Sequence, residues 1–99
     1  MRILVALLTS VVLAACDSPS PDFAGLAPSE VQVGSSTFSV RFTQDKVEAI
    51  RTNSESLSSL NGISVRAAQA MEIASGCEVI PGTFEGDAAV TRAALDCET

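Results

Sequence analysis

The sequence predicts an α+β domain: a small antiparallel sheet of about four or five strands with one helix packed on one face. Three observations predict it. Apolar residues alternate with polar ones from Val31 to Phe42; Ile63, Ala67, Ala70, Met71 and Ala74 recur at spacings of three and four; and two short apolar runs, Cys77–Ile80 and Val90–Cys97, flank a stretch rich in turn formers. A chain of 99 residues leaves room for one such domain, and its first 15 residues do not belong to it.

Those residues read as a secretion signal. Arg2 supplies a positive start, Ile3 to Leu13 is apolar apart from Thr9 and Ser10, and Leu13-Ala14-Ala15 leads small residues into Cys16. The apolar run is short of the roughly 20 residues that a helix needs to span the hydrocarbon core, so cleavage is expected between Ala15 and Cys16. Leu13-Ala14-Ala15-Cys16 resembles the lipobox of the bacterial lipoprotein family, Leu-Ala-(Gly/Ala)-Cys. The resemblance covers only these first residues and names no functional family for the rest, which is similar to many small Gram-negative lipoproteins. It implies a diacylglycerol on the Cys16 sulfur and a third acyl chain, such as palmitate, on its freed amino group. Each buried methylene contributes about 0.8 kcal/mol, so two or more chains hold the protein firmly at a membrane.

The resemblance carries further expectations. With Cys16 given to lipid, Cys77 and Cys97 remain as a pair, and an oxidising compartment favours a disulfide between them. Removing Arg2 leaves five Lys and Arg against twelve Asp and Glu, a net charge of −7 for the mature chain. That balance argues against nucleic acid and against a polybasic grip on anionic lipid. The expected location is the cell envelope, lipid-anchored and facing the periplasm. Inner and outer membrane stay open, with Asp17 pointing to the inner one under the sorting rule of enteric bacteria.

Residues 16–29 read as a lipidated, flexible tether and residues 30–99 as the domain. Prolines at 19, 21 and 28 favour extended polyproline geometry, a reach of about 40 Å over residues 17 to 29. Phe23 and Leu26 are the apolar exceptions, read as loose packing on the domain edge or as a docking point for a partner. Val31 and Val33 form a first strand, Gly34-Ser35-Ser36 a turn, and Phe38, Val40 and Phe42 a second strand. After a turn at Thr43–Lys46, Val47 to Thr52 fits either a strand or a helical stripe; a strand pairing with 37–43 keeps the hairpin local.

Asn53 to Gly62 is Ser- and Asn-rich, anchored by Leu57 and Leu60, and reads as a surface connection. The helix follows, with Arg66, Gln69 and Glu72 on its outer face, Ser64 or Asn61 as cap, and Gly76 as its left-handed end. If Cys77 faces Cys97 in an antiparallel register, Val79 faces Leu95 and residue 80 faces 94. Pro81-Gly82 bends the first of these strands and Glu85-Gly86-Asp87 turns the chain.

The chain has no His, which excludes Ser-His-acid and Cys-His catalysis within it. Glu85 with Asp87, or Asp96 with Glu98, are the available carboxylate pairs for glycoside hydrolysis, but no Trp or Tyr accompanies them and a solvated turn explains them equally. Asp-x-Asp-x-Asp-Gly calcium spacing is absent. No cofactor or metal is expected, and the chain is read as no enzyme. Arg41, Arg51, Arg66 and Arg92 read as solvent-facing charges loosely paired with carboxylates; three of them converging on one face would suit an anionic glycan or a partner's carboxylates. The expected function is a membrane-anchored, non-catalytic interaction or accessory module contacting another envelope protein. The alternative is a periplasmic protein that binds a small ligand or an envelope polymer.

Overall fold

A computed structural model describes residues 19–55 and 60–98. The signal, Cys16, Asp17 and Leu57 lie outside the described residues. Among the described residues six strands and one α-helix follow in the order β1 (Ser29–Val33), β2 (Ser36–Phe42), β3 (Lys46–Arg51), α1 (Ile63–Ser75), β4 (Glu78–Val79), β5 (Glu85–Gly86) and β6 (Val90–Asp96). All pairings are antiparallel. The sheet runs β1-β2-β3-β6-β4, with β5 beside β4 on the same edge of β6. The expected α+β architecture is therefore present.

The first hairpin closes tightly, with Val33 opposite Ser36. Its two-residue loop, Gly34-Ser35, has φ +58° at Gly34 and no positive φ at Ser35, the pattern of the type II′ turn that matches strand twist. Ser36, expected in the turn, is instead the first residue of β2 and fully buried. The segment left open between strand and helix is a strand: Val47 opposes Phe42, and Ile50 opposes Ser39. Four successive residues of β3, Val47 to Ile50, are buried. Strand alternation sends Val47 and Ala49 to one face and Glu48 and Ile50 to the other, so both faces must be covered.

One cover is α1. Its Ala67, Ala70 and Met71 pack with Phe38, Val40, Val47, Ala49, Val79, Ala93 and Leu95 into the main core. Alanines on the packed face let the helix axis approach the sheet. The helix ends as expected at Gly76, whose φ is +72° and whose N–H donates to the Glu72 carbonyl. Its start differs. Gly62 occupies the N-cap position and no side chain caps it, so neither Ser64 nor Asn61 has that role.

The Cys-bearing strands pair in the expected register. Glu78 faces Asp96, Val79 faces Leu95, and the Ile80 N–H donates to the Ala94 carbonyl. Cys77 and Cys97 are joined, with an S–S distance of 2.06 Å. Pro81-Gly82 then interrupts the edge, and the Thr83 hydroxyl bridges the gap by accepting from the Ala94 N–H and donating to the Ile80 carbonyl. Glu85-Gly86, expected as part of a turn, forms a further two-residue strand against Arg92 and Thr91. The register shift between β4 and β5 is what the residues after Pro81 take up.

The second cover is residues 19–28, which lie as a strap on the sheet face opposite α1, where residues 16–29 read as a flexible tether with only loose packing of Phe23 and Leu26 on the domain edge. Pro21–Phe23 forms a single 3-10 turn and Phe23 is only 2% exposed. This corrects the expectation of an extended tether through residue 29, because an aromatic ring with a sheet face in reach gains more from burial than from standing in water.

Candidate functional site

The strap-covered face is built on one row of charged residues. Arg41 of β2 opposes Glu48 of β3, Glu48 opposes Arg92 of β6, and Arg92 opposes Glu85 of β5. Opposite charges on directly paired positions attract across each strand boundary. At the centre of the row Glu48 is 1% exposed. A carboxylate so buried requires partners. It accepts from the Ser20 N–H at 3.1 Å, from the Ser20 hydroxyl, and lies 3.6 Å from the Arg92 guanidinium, which also donates to the Ser20 hydroxyl at 3.3 Å.

The strap is held at two further points. Lys46 Nζ stands 3.3 Å from the Asp22 carboxylate, an exposed pair that contributes little by itself, and Arg41 Nε donates to the Leu26 carbonyl at 3.0 Å. Among the described residues Phe23 and Ile50 are the two buried apolar residues outside the helix-side core, so this face has a small apolar content of its own. Burying a Phe side chain contributes about 1.5–3 kcal/mol, comparable with the cost of ordering only two or three residues at ~1 kcal/mol each. Between the strap and the β4–β5 edge runs an open groove of about 330 Å³, lined by Phe23, Lys46, Thr83, Glu85 and Arg92 among others.

No protein-family model, curated protein or solved structure matches the chain. Its chemistry must therefore be read from its own residues.

The other two arginines gather elsewhere. Arg51 and Arg66 flank Glu55 at 3.4 and 3.5 Å, and the Glu55 side chain is 2% exposed. Glu55 also accepts from the Ser35 and Ser36 hydroxyls, while Arg66 donates to Ser36 Oγ and to the Asn61 carbonyl. Burial pushes the Glu55 carboxyl up, but hydrogen bonds from Ser36, Ser35 and Arg51 and the charge of Arg66 outweigh it, holding the carboxyl below its ordinary value. This cluster ties the β1–β2 turn to the start of α1. The expectation of four loosely paired surface arginines is corrected accordingly. Arg51 and Arg66 have mostly buried side chains serving one carboxylate, and three arginines do not share a face.

The carboxylate pairs have structural duties too. Asp87 accepts from the Ala89 and Val90 N–H groups at 2.9 and 3.0 Å, and backbone bonds from Val90 and Ala89 lower its carboxyl below the ordinary value. Asp96 accepts from the Glu98 N–H. Glu85 is left on the rim of the groove. Among the described residues no group of three or more His, Cys, Asp or Glu could hold a metal ion, and no helix is long and apolar enough to cross a membrane.

Sequence reasoning missed Glu48 and Ser20. Glu48 sits in an alternating segment as an ordinary solvent-side residue would, and nothing local marks it as covered. The available signal was Phe23, an aromatic residue in a proline-rich stretch, which needed a place to be buried.

Proposed function

We propose that the protein is a membrane-anchored envelope lipoprotein that works as a non-catalytic interaction module, with the strap-covered face of the sheet as its working surface. The anchor rests on Leu13-Ala14-Ala15-Cys16 and on cysteine parity: Cys77 and Cys97 satisfy each other, leaving Cys16 as the odd thiol. The observation that carries the module reading is the charged row Arg41-Glu48-Arg92-Glu85, fixed alternating charge whose centre is covered by the strap, rather than a cleft holding a nucleophile and its base. Three residues separate Cys16 from Ser20 in the sequence, which limits the distance between an anchor at Cys16 and this face to roughly 13 Å at full extension.

Two measurements test the reading. A Cys16→Ala variant should lose incorporation of labelled palmitate and leave the membrane fraction after carbonate washing; retention in that fraction contradicts the anchor. A photoreactive residue at Glu85, in intact cells, should yield one reproducible protein crosslink that the same residue at Gln69 on the helix does not, and identical products from both positions contradict the working surface.

The groove supports a second reading, a small zwitterionic ligand held between Lys46 or Arg92 and Glu85. Saturable NMR shifts confined to these residues on titration with amino acids or short peptidoglycan fragments would favour it.

A further inference from the structure

Among the described residues the strap makes no ladder bonds with any strand. Its internal hydrogen bonds, from the Phe23, Ala24 and Leu26 N–H groups, end on the carbonyls of Ser20, Pro21 and Phe23. Its attachments to the sheet are the Ser20 donors on Glu48, the Arg92 guanidinium donating to the Ser20 hydroxyl, the Asp22–Lys46 pair, the Leu26 carbonyl on Arg41, and the buried Phe23 ring. Every strand pairing and the whole helix-side core stand without it. The sheet therefore holds a segment of its own chain in the manner of a bound peptide.

The geometry points to this face being a peptide-binding surface, with residues 19–28 as its intramolecular occupant, displaced by a partner segment that offers the same groups. The inference rests on the interaction-module reading and specifies its partner. The contacts set the chemistry. A buried carboxylate at Glu48 asks for a hydroxyl and an amide N–H; Lys46 asks for an acid two residues later; the site of Phe23 asks for an aromatic ring next to that acid; and Arg41 asks for a free carbonyl three residues beyond the ring. Release of the strap uncovers Glu48 and the Phe23 site and lengthens the spacer between Cys16 and β1. Occupancy of the face and distance from the anchor are thereby coupled through one segment.

A fluorescein-labelled peptide with the sequence of residues 19–28 provides the test, read by anisotropy against the full chain. Phe23→Ala, which loosens the strap but leaves the face intact, should bind the peptide at least ten-fold more tightly than wild type, whose own strap competes at high effective concentration. Adding Glu48→Gln to Phe23→Ala should weaken that binding at least five-fold. Absence of saturable binding to a folded Phe23→Ala protein, or equal affinity for it and wild type, overturns the inference. If Phe23→Ala does not fold, amide exchange in wild type decides. The Phe23 and Leu26 amides exchanging at least a hundred-fold faster than those of Val47 and Ala49 supports a displaceable strap, and exchange at the same rate overturns it. The assay involves neither lipid nor envelope, so its failure leaves the anchored-module reading to the crosslinking experiment, which decides that reading separately.

Discussion

Glu55 and Gly86 show how much of this small fold hangs on single groups. The Glu55 carboxyl titrates below its ordinary value of 4.5 in the folded protein, so its stabilisation is complete above that pH and is lost as pH falls through the folded value. Glu55→Gln should therefore lower the urea midpoint at pH 7, and the gap to wild type should narrow as pH is taken progressively below 4.5; a gap that stays constant through acid unfolding would show that the charge has no part in it. Gly86 has φ +103°, and a Cβ there would stand 2.1 Å from the Val90 carbonyl oxygen. Gly86→Ala should cost about 2 kcal/mol or more in chemical denaturation, since neither the left-handed backbone nor the carbonyl can give way cheaply. The sequence marked Gly86 as a turn residue; its place at the end of β5 and the close approach of Val90, four residues on, were not legible there.

Among the elements, β4 depends most on a covalent link. It has two residues and pairs only with the end of β6, where the Cys77–Cys97 bond closes a 20-residue separation. The chain-entropy relation assigns such a loop about 3 kcal/mol, so a Cys77→Ser, Cys97→Ser double variant should lose about that much in urea unfolding under non-reducing conditions. The pairing of these thiols followed from parity once Cys16 was set aside, and the register followed from the pairing. The strap behaves differently as an element. Proline content and polarity made it read as a tether, and Phe23 and Leu26 were its apolar exceptions, because a polyproline stretch and a docked one have the same composition. The opposite faces of β3 explain the ambiguity of Val47 to Thr52. Val47, Glu48 and Ala49 alternate, but Ile50, apolar on the face that the strap covers, follows Ala49 directly and breaks the pattern that separates strand from helix.

At the scale of the molecule, helix and sheet share one apolar cluster and should fold together. Met71 is fully buried in its middle. Met71→Ala should cost about 2–5 kcal/mol, and the circular dichroism of helix and strands should vanish at one common denaturant midpoint; separate midpoints would show that the two layers are independent.

The sequence by itself determined the α+β class, the two hairpin turns, the extent of α1 and the register of the Cys-bearing strands, because each follows from periodicity, turn chemistry or spacing within a short stretch. Only the tertiary structure decided that Glu48 is buried, that Arg51 and Arg66 meet on Glu55, and that residues 19–28 cover the sheet. Ser20 and Glu48 are 28 residues apart, and Ser20 and Arg92 are 72 apart. Contacts of that range leave no local pattern, since their energy depends on the face a folded sheet presents rather than on any neighbour in the chain.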